Sequence, residues 1–268
     1  MSSPSLDLDL DLDFTRHFRN DEDASHSLTH SLTAGDLLGV ALLCAAFFIT
    51  LVSYSRTHLL DRKKLAFCLT AVNAALMSVV SVVYMCVKYS MGHNVFDLFG
   101  GRLEWWVGRD NVSVAVLVWF GTANIMDIVL GLAFYREHLY MVTTWVHHSV
   151  YIWLMVLLVT GDGYVATLPS PYTPAFMCAL LEELPTLILA IGTIFPQYRQ
   201  DFAFGITFFI TRIVFHSYLL FYMFRLDPPV IIIICYVNPL LLHLHWFSGW
   251  LSKYAFEKSP SPKKVKEL

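Results

Sequence analysis

The chain has 268 residues, is 56% hydrophobic and only 15% charged, and has a mean hydropathy of +0.57. That composition excludes an ordinary soluble domain. The formal charge of -3 is small, so charge is informative only through its distribution.

Several apolar runs reach about 20 residues, the length that crosses a bilayer as helix. The alternating runs of about ten residues that build a transmembrane barrel of strands are absent. The fold class expected is therefore an all-α polytopic membrane protein. The five cysteines, Cys44, Cys68, Cys86, Cys178 and Cys235, sit inside apolar runs and form no CxxC pair, so they read as small core residues.

Residues 1–34 are a polar head. Leu6 to Phe14 alternates strictly between apolar and acidic residues. As a strand it would line one face with like charges, so it reads as a disordered acidic tail. No basic stretch leads into an apolar one here, so no cleaved signal peptide is expected. Seven spans are predicted. The first, Leu37 to Tyr54, is followed by the basic loop Arg56, Arg62, Lys63, Lys64. The second is Leu65 to Val87, and a polar, aromatic link runs from Lys88 to Asn111. The third is Val112 to Tyr135 and the fourth Leu139 to Val159. Gly161, Gly163, Pro169, Pro171 and Pro174 break the next loop. The fifth span, Ala175 to Ile194, ends at Pro196. The sixth is Phe202 to Phe224, and Pro228-Pro229 separates it from the seventh, Val230 to Leu251.

Orientation follows from Lys and Arg counts. Eleven lie on the side of the C-terminal tail and the loops after spans one, three and five, against six on the other side. The C-terminus is thus expected in the cytosol and the N-terminus in the lumen. Lys266 and Lys264, third and fifth from the end, resemble a dilysine retrieval signal of the endoplasmic reticulum, and the expected location is that membrane. Asn111-Val112-Ser113 fits the N-glycosylation pattern on the lumenal side, next to span three.

Charged groups and imidazoles inside such spans are costly and suggest function by default. Asp127 lies near the end of span three, and His147 and His148 near the start of span four. At 1.5 Å per residue all three sit about 12 Å from the cytosolic edge. The tight turn Tyr135 to His138 makes the two helices antiparallel neighbours, so an Asp-His contact is easy. Asn124, Asp127 and Gly131 share one face; Thr144, His148, Tyr151 and Met155 share another. Span five adds Glu182 and Glu183, span six Arg212 and His216, span seven Asn238, His243 and His245. The last two histidines are about 200° apart on the wheel, so at most one is expected inside; His245 is chosen. The picture is a polar chamber in a helix bundle. An acid beside imidazole is the usual way to hold a histidine as base or nucleophile, so Asp127, His147 and His148 are the catalytic candidates. Glu183, Arg212, His216, Asn238 and His245 are the substrate-binding candidates. Thr144 stands where an HxxHH iron box needs histidine, so no metal is expected.

In order and placement these residues resemble the TLC family, the lipid-sensing domain of translocation-associated membrane proteins and longevity-assurance ceramide synthases. The marks are Asp127, His147-His148, Glu183-Leu184-Pro185-Thr186, Phe209 with Arg212, and Asn238 through Trp246. The resemblance covers residues 61–256, leaving 35–60 as an added helix with its loop and 257–268 as a basic tail. It implies a six-helix barrel made of spans two to seven. The ceramide synthase branch implies acyl transfer from acyl-CoA, with His147 or His148 as base or nucleophile, Asp127 as its orienter, and Arg212 meeting carbonyl or phosphate oxygen. Val150 to Gly161 lacks that branch's paired aspartates and no homeodomain-like segment exists, so the likeness is to less characterised members. Membrane lipids and acyl-CoA are the expected partners, with no bound cofactor, no nucleic acid, and a homo-oligomer left open. The alternatives are a non-catalytic lipid-binding or membrane-composition protein, a fatty-acid elongase and a seven-span receptor.

Overall fold

A computed structural model describes residues 32–58, 61–92, 110–160, 172–225 and 230–256. The acidic head, most of the 88–111 link, the 161–171 loop and the tail with Lys264 and Lys266 lie outside the described residues. From Ala34 onward the chain forms one compact unit.

The regular elements among the described residues are helices. Helix α1, Ala34–His58, has Asp36 in its first turn and Arg56 and His58 in its last, signs that suit the helix dipole. Helix α2, Arg62–Ser90, starts at Asp61, whose carboxylate accepts from the Lys63 and Lys64 amides at 2.8 and 3.4 Å. Helix α3, Asn111–Phe134, is capped in the same way by Asp110, which accepts from the Ser113 amide at 2.8 Å. A single 3-10 turn, Arg136–His138, reverses the chain. A π-helical stretch, Met141–Val146, then leads into α4, His147–Thr160.

The next rod is α5, Thr173–Ala179, a 3-10 turn, Leu180–Glu183, and α6, Leu184–Ile194. Pro185 gives the reason for the tightening: it has no N–H to return, and its ring crowds the carbonyl one turn earlier. Helix α7, Asp201–Phe208, passes through a π-helical stretch, Phe209–Phe215, into α8, His216–Arg225. Helix α9, Val230–Leu251, carries Pro239 in its interior.

Six helices are long and apolar enough to cross a membrane: those starting at Ala34, Arg62, Asn111, Thr173, Asp201 and Val230. The fourth expected span differs. Among the described residues it is a shorter apolar helix, Thr144–Thr160, and Thr160 is also where this described stretch ends. The 14 residues of α4 rise about 21 Å, against the roughly 30 Å of a bilayer core.

Helix α1 lies along α3, α2 along α6, and α3 along α4. One apolar cluster joins Met77, Leu117, Leu154, Met177, Leu219 and Tyr236. A second joins Cys44, Phe48, Leu69, Ala123, Leu130 and Tyr135, so α1 is part of the packed bundle. Leu42, Leu43, Val79, Val129, Ile210 and Leu241 point outward, as lipid-facing side chains do.

At one end, Gly205 of α7 admits the Trp250 ring of α9; a Cβ there would fall inside the indole. Trp250 also donates from Nε1 to the Asp201 carbonyl at 3.2 Å, and Tyr254 from its hydroxyl to the Asp201 carboxylate at 2.6 Å. Arg199, at 2.8 Å from Asp201, has its pKa raised by that bond. Gly205→Ala is expected to lower stability by about 1–3 kcal/mol through overpacking, in spite of alanine's better helix propensity. Gly249→Ala, in open space on α9, is the control expected to be neutral or slightly stabilising. Thermal unfolding in detergent reads both, and equal melting temperatures would overturn the argument.

Asn111-Val112-Ser113 occupies the first turn of α3. Ser113 is fully buried, its hydroxyl meeting the Asp110 carbonyl at 2.9 Å and the Thr173 hydroxyl at 2.7 Å. An acceptor site needs an accessible segment. The chain made in glycosylating membranes is therefore expected to keep its mobility after glycosidase digestion. A shift that Asn111→Gln removes would show that this turn opens.

Candidate functional site

The polar side chains inside the bundle are placed largely by departures from α-helix. Thr144 lies in the first π stretch and His147 directly after it. Glu182 and Glu183 close the 3-10 turn, and Arg212 lies in the second π stretch. Such irregular turns shift the wheel and re-aim side chains, and π-bulges concentrate at functional sites.

Asp127, His147, His148, Glu183 and Arg212 line one cavity of about 450 Å³, together with Asn73, Asn124, His138 and Trp246. Phe48, Leu69, Phe120 and Phe208 supply apolar wall. Leu139 and Tyr140 extend it to the α3–α4 connection. On the surface of that connection Glu137 pairs with Arg62 at 3.3 Å. Its own backbone amide, and then Arg62, hold its pKa below the usual carboxylate range.

His148 faces Asp127, with Nδ1 at 3.5 Å from Oδ2. The other Asp127 oxygen accepts from the Tyr135 hydroxyl at 2.7 Å, a partner absent from the sequence reading. His147 turns elsewhere, packing its ring on Tyr151 and Trp246 with centroids 4.6 and 5.7 Å apart. Of the histidine pair, His148 is thus the one beside the acid. Two further buried polar atoms of the lining, Asn73 Oδ1 and His138 Nδ1, have no hydrogen-bond partner. Orphaned buried groups call for an explanation, and a polar ligand supplies one.

Arg212 is held on three sides. Nε donates to the Glu182 carbonyl at 2.7 Å, Nη2 donates to the Thr186 hydroxyl at 2.6 Å, and Nη2 lies 3.7 Å from Glu183 Oε1. Its guanidinium carbon sits 5.3 Å from the centre of the Phe208 ring. Glu183, Thr186 and Arg212 thus form a linked corner of the cavity.

His216 belongs to a neighbouring cluster. Its Nδ1 lies 2.8 Å from Glu182 Oε1 and its Nε2 2.7 Å from the Tyr236 carbonyl. His243 Nδ1 lies 3.6 Å from Glu182 Oε2. The donor atoms of Glu182, His216 and His243 fall within 4.8 Å of one another, close enough to share a metal ion.

Asn238 and His245 require correction as inward-facing residues. Both are exposed and neither lines a described cavity. The buried face of α9 runs Ile232, Cys235, Tyr236, Pro239, His243. His245, two positions on, falls on the opposite side, and Asn238 sits one step off the stripe. The wheel already separated His243 from His245; the apolar stripe ending at His243 was the signal for choosing between them. Glu182, named in span five but not among the site candidates, is buried at 5% exposure and bonded across helices. Tyr135, eight residues from Asp127, was read only as the start of the turn, and its bond to Asp127 depends on the chain reversing straight after α3.

Comparison of this chain with known protein families, with curated proteins and with solved structures finds no match.

Proposed function

We propose that this chain is a TLC-type multi-pass membrane protein that transfers an acyl group from acyl-CoA to a lipid acceptor, with His148 as the reacting base or nucleophile. The observation that carries this reading is the convergence of Asp127, His148, Glu183 and Arg212 on one cavity with apolar walls. The walls suit an acyl chain, and the polar corner suits a thioester and its acceptor.

In this mechanism His148 presents Nε2, since Nδ1 is turned toward Asp127. As nucleophile, Nε2 attacks the thioester carbonyl, the C–S bond breaks, and the thiolate leaves and takes up the Nδ1 proton of the cationic acylated ring. The acceptor amine or hydroxyl then attacks the acyl-imidazole, the new C–N or C–O bond forms as the bond from the acyl carbon to Nε2 breaks, and the acceptor's proton passes to the freed ring. As base, Nε2 instead takes the acceptor's proton while the acceptor attacks the thioester carbonyl, and returns it to the thiolate as the C–S bond breaks. Asp127 stabilises the cationic ring in both cases, with the 3.5 Å approach shortening in the substrate complex. Arg212 supplies charge for the developing oxyanion or a phosphate. Seven membrane crossings, the endoplasmic reticulum as location, and a cytosolic face for the α3–α4 connection belong to this proposal, and they rest on the lysine and arginine distribution and the tail.

A second reading is a lipid-binding protein without turnover. It is favoured by the Tyr135 hydroxyl, which already occupies one Asp127 oxygen and also approaches the Asp127 carbonyl at 3.3 Å. Purified protein incubated with labelled acyl-CoA and an amine and alcohol lipid panel separates the two. Acylated lipid or acyl-protein supports transfer. Co-purified lipid with no turnover supports binding alone.

A further inference from the structure

Beside the 450 Å³ cavity lies a group of side chains that acyl transfer does not use. Glu182, His216 and His243 come from three separate rods and are all buried, at 5%, 3% and 1% exposure. The His216 tautomer is set from outside. A carbonyl can only accept, so Nε2 must donate to the Tyr236 carbonyl at 2.7 Å. That turns Nδ1, 2.8 Å away, directly on a carboxylate oxygen. Two lone pairs cannot face each other at that distance, so a proton or a cation must lie between them. His243 adds a third donor, with Nδ1 aimed at the other Glu182 oxygen from 3.6 Å and no hydrogen-bond partner. A proton satisfies the His216–Glu182 edge and leaves His243 orphaned. A metal ion satisfies all three.

We propose that Glu182, His216 and His243 bind a divalent first-row transition metal. Two imidazoles and a carboxylate are a zinc or ferrous iron donor set, and nitrogen donors disfavour calcium and magnesium. Ligands about 2.0–2.1 Å from a tetrahedral ion are about 3.3 Å from one another. The imidazole nitrogens stand 2.8 Å from Glu182 Oε1 and 3.6 Å from Glu182 Oε2, on either side of that value, and one donor atom from each residue lies within 4.8 Å of the others. The Tyr236 carbonyl is the outer-shell acceptor that ligating histidines commonly have. A cavity of about 20 Å³ borders Glu182, His216 and Tyr236, enough for one water as a further ligand. Charge also fits. Arg212 balances Glu183 at 3.7 Å, which leaves the negative charge of Glu182, set against His216 and His243, for a cation to balance when the imidazoles are neutral.

The test is metal content of the full chain, which is independent of acyl transfer. Protein purified in detergent without chelators is analysed by plasma mass spectrometry, then stripped and reloaded with cobalt(II). About one zinc or iron per chain is expected, with a visible cobalt spectrum on reloading. The element found decides between zinc and iron. His243→Asn and Glu182→Gln should lower metal content about tenfold or more, while His147→Ala and His148→Ala keep it. Wild-type protein with under about a tenth of an equivalent of metal and no cobalt spectrum would overturn the proposal, whatever the variants do. So would metal that survives both ligand variants and disappears with the His147 and His148 replacements.

Discussion

His148→Ala is expected to lower acyl transfer by about 10²–10⁴-fold while the protein stays folded, because a positioned base or nucleophile contributes that much. The expectation is specific to one ring of the pair. His148 is the imidazole against Asp127, at 3.5 Å, whereas His147 packs its ring on Tyr151 and Trp246. His147→Ala should therefore act mainly on packing, with a smaller loss of rate. Asp127→Asn keeps the shape and the Tyr135 contact but removes the charge that stabilises the cationic ring. Its rate should fall by less than that of His148→Ala, as expected for a residue acting through another. Label transferred from acyl-CoA to acceptor lipid, measured on variants with matched melting temperatures, checks the series. Equal turnover in wild type and His148→Ala would overturn the assignment of His148, and the binding reading would then take its place if lipid still co-purifies.

The cavity was legible where counting along a helix suffices. Asp127 and His148 meet because each lies close to the same chain reversal, and depth from a shared end is a one-dimensional property that a sequence carries. Arg212 and Glu183 were legible as charges that an apolar bundle cannot leave facing lipid. The reading failed where regular α-helical geometry fails. The π stretches at Met141–Val146 and Phe209–Phe215 change the wheel within two rods. No residue in MVTTWV announces that winding. Glu182 and His243 were passed over for a related reason. Their value lies in meeting each other and His216 across rods, and no spacing within one helix encodes that.

Arg212→Ala is expected to be the most damaging single change to stability, at about 3–5 kcal/mol, the cost of leaving a buried charge without its partner. The guanidinium is 7% exposed and Glu183 is 14% exposed, so water cannot replace the lost contact. The same truncation also frees the Glu182 carbonyl and the Thr186 hydroxyl, both of which now accept from Arg212. Arg212→Lys keeps the charge, but one ammonium cannot reproduce a fork that reaches the Glu182 carbonyl and Thr186 at once, so part of the loss should remain. Arg212→Met with Glu183→Gln is the decisive variant. It removes both charges and keeps most of the volume, and removing a buried pair whole is far less costly than breaking it. The double variant is expected to recover most of the stability lost in Arg212→Met alone, while still losing acyl transfer. Thermal unfolding of the four proteins in the same detergent reads the cycle. Additive losses from the two single changes would show that Arg212 and Glu183 act independently, and the linked corner of the cavity would lose its basis.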